Sequence, residues 1–253
     1  MVFRKSMIVA RTDLKMALKV SYVKYGLIMV AAVGPLMILG IVGLIAFTSA
    51  AADAVLVLSI MSPIMSPMLG IFAIIPASMI AANALVGERE QNTLEPLLCT
   101  PLTDRELLIG KVMSSFIPSI ALLFGALFVT EIGTIIICIM TGLPILLFPD
   151  LQGLFLLLTA GPLMILAMNS IMILISGRVS RVYEAYQTSG ATVMIFILPM
   201  ILPMVTMDSG GAIDPNAIIL TDILTIIIAA ILFIVTWALA FSRFNRDHMV
   251  SLV

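Results

Sequence analysis

GEREQNTLEPLLCTPLTDRELLIGK, residues 87–111, carries eight of the chain's 27 Asp, Glu, Lys and Arg side chains. The apolar runs on either side, 54–86 and 112–139, contain a single acid between them, Glu131, and no base. A polar segment in such a setting reads as a water-exposed loop joining two membrane spans. What docks on that loop then governs what the chain does.

Working outward, the composition fits this reading. Of 253 residues 62% are hydrophobic and only 11% charged, and mean hydropathy is +1.23. Soluble domains carry about a quarter charged residues, so the chain is expected to be an all-α polytopic membrane protein. A net charge of -1 and a pI near 5.8 point away from nucleic acid as a partner. The two cysteines, Cys99 and Cys138, sit on opposite sides of an apolar run, so no disulfide between them is expected, and neither has metal-ligand spacing.

Residues 1–24 hold Arg4, Lys5, Arg11, Lys15, Lys19 and Lys24. This segment is too long and too charged for the n-region of a signal peptide, and the expectation is mature sequence. Phe3, Met7, Ala10, Leu14, Ala17 and Leu18 recur at helical steps, with Arg4, Arg11, Lys15 and Lys19 on another face. The pattern predicts an amphipathic helix lying on an anionic membrane surface, with lipid as its partner. Six apolar runs follow, 26–47, 54–86, 112–139, 151–176, 191–207 and 217–241. A hydrocarbon core of about 30 Å needs roughly 20 helical residues, so each run is expected to cross once, all within one transmembrane domain over 1–253. The 54–86 run is overlong and holds Pro63, Pro67 and Pro76. It predicts a kinked helix, or a short outer helix leading into the span, and Pro118 and the Pro199/Pro203 pair are expected to bend their helices too.

With six spans, residues 1–24, 87–111, 178–189 and 242–253 share one side of the membrane and contain all 13 Lys and Arg residues. The other side offers Asp53, Asp150, Asp208, Asp214 and Asp222. By the positive-inside rule both termini and the central loop are expected to be cytoplasmic, in a cell membrane.

Within 87–111 the local signals describe two helical pieces. Thr93 is placed to cap a short helix whose first turn accepts Pro96, and Pro101 ends it near Cys99. Thr103-Asp104-Arg105-Glu106 has the spacing of a capping box ahead of Leu107, Leu108 and Ile109, so the third span is expected to begin inside the cytoplasm. Leu94, Leu97 and Leu98 form one apolar face that an isolated loop has no reason to expose.

Here the chain resembles the permeases of ABC-2 type transporters. The residues that carry the resemblance are Glu88-Arg89-Glu90, Thr93-Leu94-Glu95, Leu97-Leu98, Thr100-Pro101-Leu102, Glu106-Leu107-Leu108 and Gly110-Lys111. They resemble the family signature ERE-x-GTLE-x-LL-x-[ST]P-[LV]-x-x-x-E[IL]-x-x-GK. Asn92 stands where glycine is usual and Pro96 is a second departure; Asn tolerates the left-handed backbone that glycine supplies. The resemblance implies an exporter permease subunit that pairs with a second permease subunit, like or unlike itself. It also implies a separate ATP-binding subunit, seated on a coupling helix between spans two and three. On this basis the docking surface is expected to use Glu88, Arg89, Glu90, Thr93, Leu94, Glu95, Leu97 and Leu98, with ion pairs setting register and leucines supplying affinity.

No nucleotide site or other cofactor is expected in the chain itself. Walker A requires G-x-x-x-x-G-K-[ST], but Gly110-Lys111 is followed by Val112 and Arg105 stands five residues before Gly110. Asp208-Ser209-Gly210-Gly211 looks like the surroundings of a serine nucleophile, yet His248, the only histidine, falls on the other membrane face. Glu131 is expected on the translocation path, at a dimer contact, or in a structural hydrogen bond near Thr130 or Thr134. Asn83 and Asn169 are read as polar contacts between helices or as lining of the path. A secondary transporter would show several intramembrane acids, and a lipid-processing enzyme paired carboxylates or a histidine cluster on one face. Both alternatives fit the residues less well than the permease.

Overall fold

The structure, a computed structural model, describes residues 2–17, 19, 21–90, 103–179, 181–203 and 215–243. The described residues form seven α-helices and no strand: α1 (Val2–Ala17), α2 (Ser21–Thr48), α3 (Ala51–Glu90), α4 (Asp104–Thr141), α5 (Leu151–Ser176), α6 (Val182–Ile201) and α7 (Pro215–Arg243). Among the described residues five stretches are long and apolar enough to cross a membrane, Lys24–Thr48, Met65–Glu90, Asp104–Thr141, Leu151–Ser176 and Asn216–Arg243. For the remaining run, 191–207, α6 supplies the first part and 204–207 lie outside the described residues.

At 40 residues α3 is the longest element and runs unbroken past Pro63, Pro67 and Pro76. Its length of about 60 Å is twice a hydrocarbon core, so it cannot cross as one span. An apolar piece, Ala51–Pro63, precedes the spanning part, Met65–Glu90. A short apolar piece therefore precedes the spanning part and is continuous with it.

The spanning part of α3 is the axis of the bundle. It is 67% buried, against 22% for the spanning parts of α2 and α7. It packs most extensively on α5 and also contacts α2, α4 and α6, while α5 carries α7 on its other side. Ala73, Ala77 and Ala81 put small side chains toward the interior, where Met164, Met168 and Met172 of α5 are fully buried. In lipid no hydrophobic force drives helices together, so close backbone approach and dense packing hold such a bundle. Ile28, Met29, Leu36 and Leu44 of α2, Phe128, Ile132 and Ile136 of α4, and Ile227, Ile231 and Ile234 of α7 are exposed. This apolar exterior suits a surface that meets acyl chains.

At the end of the bundle away from residue 90, α4 stops at Gly142 in the left-handed conformation (φ 69°). Asp150 then caps α5, its Oδ1 accepting from Gly153 N–H at 3.1 Å, and its own N–H donates to Ser62 Oγ at 2.8 Å. Ser66 lies so close to Gly153 that any Cβ there would overlap its hydroxyl. Glu131 reaches this connection, accepting from Phe148 N–H at 3.5 Å. Thr130 and Thr134, its neighbours along α4, donate elsewhere: Thr130 to Ala126 O, and Thr134 to Thr130 O at 2.8 Å.

Candidate functional site

The two ends of the 87–111 segment meet in one cluster, built by local rules and closed by long-range ones. At the α4 end the capping box forms as the spacing predicts. Glu106 N–H donates to Thr103 Oγ1 at 3.3 Å, and Thr103 N–H donates to Glu106 Oε2 at 2.9 Å. Two backbone donors that a bare helix start would leave unsatisfied are thereby paired.

One turn further on, Gly110 is the point where α1 crosses. A Cβ on Gly110 would lie 2.9 Å from Val9 Cβ and 3.0 Å from the Ser6 carbonyl oxygen, so only glycine permits this approach. Ser6 Oγ donates to the Glu106 carbonyl at 3.0 Å beside it. Ser6, Val9 and Ala10 are buried against α4, whereas Met7 is 39% and Ile8 63% exposed. The predicted helix is present, but the face it docks centres on Ser6, Val9, Ala10 and Asp13. Of the predicted apolar stripe Ala10 is on the docked face and Met7 lies beside it. The close approach at Gly110 and the charge on Lys111 choose the docked face, and neither is visible in the periodicity of 1–18.

Lys111 is fully buried. Its Nζ lies 2.9 Å from Asp13 Oδ2 of α1, 2.5 Å from Glu88 Oε1 of α3, and donates to the Ala84 carbonyl at 2.9 Å. A buried ammonium needs such compensation, because desolvation alone costs several kcal/mol. Burial pushes the Asp13 carboxyl above its ordinary range, and Lys111 pulls it back through charge and hydrogen bonding without offsetting the whole shift.

The next two residues after Glu88 serve the α5–α6 turn. Arg89 donates from one terminal nitrogen to Val179 O at 2.6 Å and from the other to Gly177 O at 3.2 Å, satisfying carbonyls at the end of α5. Glu90 Oε1 accepts from Val182 N–H at 2.8 Å, at the first residue of α6. The N-cap residue of α6, Arg181, makes no side-chain capping bond of its own. Just inside, Ser176 Oγ accepts from Leu85 and Val86 N–H, each at 3.1 Å, and donates to Ala82 O at 2.8 Å.

From the sequence, Glu88, Arg89 and Glu90 are expected on the docking surface. In the structure each has a partner within the chain, and Glu88 is only 7% exposed. Thr93, Leu94, Glu95, Leu97 and Leu98 lie outside the described residues. Asn83 packs over Gly87, where a Cβ would come within 2.5 Å of its Oδ1. Asn169 is fully buried. With its amide oriented to suit its neighbours, it donates to Ala77 O at 3.1 Å and accepts from Phe116 N–H at 3.2 Å, bridging three helices. Glu131 is at the opposite end of the bundle. Sequence reasoning missed Asp13, although it is the only acid among the six bases of residues 1–24, and that isolation was the available signal. Ser176 gave no signal at all. Among the described residues, no group of three or more His, Cys, Asp and Glu side chains is placed to hold a metal.

A family model described as ABC-2 family transporter protein matches residues 6–212. The chain belongs to this family. No significant match exists among curated proteins. The matched stretch spans α1 to α6 and so includes every residue of the cluster, Asp13, Glu88 and Lys111 among them. As a member of the ABC-2 family, the protein is a multi-pass membrane permease, a transmembrane component of a transporter.

Proposed function

We propose that this ABC-2 permease is the membrane half of an ATP-driven exporter and hands the hydrolysis of ATP to a separate subunit docked on residues 91–102. The observation that carries the reading is the cluster at the roots of that segment. Glu88 and Lys111 close it, the Thr103 box caps its exit, and Arg89 and Glu90 brace its entry. A loop meant only to connect two spans needs no such rigid base, whereas a loop that receives force from a partner does.

On this reading Thr93, Leu94, Glu95, Leu97 and Leu98 form the contact, and Glu88, Arg89 and Glu90 hold it in place. The permease crosses six times, α6 and the residues up to 207 making the fifth span, with both termini, the docking segment and the α5–α6 turn in the cytoplasm of the cell. The stripe of α1 beside its docked face rests on the lipid headgroups. A second permease subunit completes the path, with Asn83 near the cytoplasmic end of the bundle and Glu131 near the outer one.

Affinity purification of the tagged permease from its native membrane is the test. An ATP-binding subunit is expected to co-purify, with vanadate-sensitive ATPase activity in the complex. Glu95→Lys is expected to weaken the association at least tenfold, the scale of a reversed interfacial charge. A permease purified alone that hydrolyses ATP, or labelling at position 95 only from outside the cell, would refute the reading.

A further inference from the structure

We infer that Glu90 is a positioning residue that makes α6 follow the docking segment. The inference rests on the docking reading and deepens it.

Three observations carry it. First, Arg181, the N-cap residue of α6, makes no side-chain capping bond. The acceptor for Val182 N–H comes instead from Glu90, the last residue of α3, 92 positions earlier in the chain. A carboxylate at a helix N-terminus is held both by hydrogen bonding and by the helix dipole. Second, Arg89 holds the other side of the same turn through the Gly177 and Val179 carbonyls. The turn between α5 and α6 is thus gripped from both ends by consecutive residues of α3. Third, Glu90 itself is exposed, directly before residue 91, where the docking segment begins. Its position gives it a second effect: displacement of residue 91 moves the group on which the first turn of α6 depends.

The alternative within the same geometry is a static cap. The two differ in what nucleotide does to the first turn of α6. The first turn of α4 is the control, because its cap, Thr103, is local and independent of Glu90.

Hydrogen exchange on the co-purified permease–ATPase complex, without nucleotide and with ATP and vanadate, separates them. In the wild type, nucleotide is expected to change exchange in peptides covering 104–107 and 182–185 alike. In the complex carrying Glu90→Ala the 104–107 response is expected to persist, exchange at 182–185 to speed up about fivefold without nucleotide, as loss of one cap would, and its response to nucleotide to vanish; a Glu90→Ala chain that brings down no ATPase places Glu90 in the docking contact and overturns the inference. Glu90→Gln, which keeps an amide acceptor, is expected to restore that response. A nucleotide response at 182–185 that survives Glu90→Ala overturns the inference, as does a wild type in which 104–107 responds and 182–185 does not. A wild-type chain that brings down no ATPase, or in which neither region responds, overturns the docking reading itself and this inference with it.

Discussion

Lys111 Nζ lies 2.9 Å from Asp13 Oδ2, joining a residue near the start of the chain to one about two turns into α4, and both side chains are withdrawn from water. With Glu88 at 2.5 Å on the other side, one ammonium holds α1, α3 and α4 together at the end of the bundle that carries residue 90. Several consequences can be measured on the purified permease.

Lys111→Met keeps the length of the side chain and removes the charge. Two buried carboxylates then lose their common cation, and breaking a buried pair from one side costs about 3–5 kcal/mol. A fall in the thermal unfolding midpoint in detergent is expected for this variant. A midpoint equal to that of the wild type would show that the pair contributes nothing net.

The Asp13 carboxyl predicts a pH dependence of definite sign. Its value in the folded chain is raised above the ordinary 3.8, burial outweighing the attraction of Lys111. The folded state therefore binds this proton more tightly than the unfolded state does. The contribution to stability is complete below the ordinary value and is lost as pH rises through the raised one. Asp13→Asn removes the titration. Unfolding midpoints of wild type and Asp13→Asn, compared from pH 4 to pH 8, are expected to show the wild type losing ground as pH rises; the opposite trend would mean that Lys111 dominates.

Gly110→Ala places a Cβ 2.9 Å from Val9 Cβ and 3.0 Å from the Ser6 carbonyl, and the latter is backbone that cannot rotate away. α1 must shift, at a cost of about 1–3 kcal/mol for an overpacked contact. Alkylation of a cysteine placed at Ala10, which is 1% exposed in the wild type, is expected to speed up in the Gly110→Ala background. Equal rates in the two backgrounds would place the α1–α4 contact elsewhere.

Asn169→Leu tests the polar bridge within the bundle. The amide joins Ala77 O of α3 to Phe116 N–H of α4 from its place on α5, and hydrogen bonds between membrane helices contribute about 0.6–2 kcal/mol. A modest loss of stability without loss of assembly is expected. A variant that folds at wild-type stability but loses transport would move Asn169 from a helix contact to the translocation path.

Much of the fold was legible before any coordinates. The apolar runs correspond to helices because, in lipid, a chain of that length has no other way to satisfy its backbone. The start of α4 was readable to the residue, since a capping box acts over four positions and needs nothing from the rest of the molecule. The face on which α1 docks was not readable in the same way. Its apolar stripe is a statement about one helix, while the docked face is set by Gly110 and Lys111, about a hundred residues away.

The roles of Glu88, Arg89 and Glu90 divide along the same line. From sequence alone they are charges beside a leucine-bearing segment, and the family resemblance implies a place for them on the docking surface. Their actual partners are Lys111, the Gly177 and Val179 carbonyls and the Val182 N–H. Sequence by itself determined what depends on near neighbours and on the solvent: the long apolar helices, the cap at Thr103 and the family signature. Tertiary structure alone decided which charges meet, because an ammonium removed from water must take its counter-ions from whichever helices pack against it.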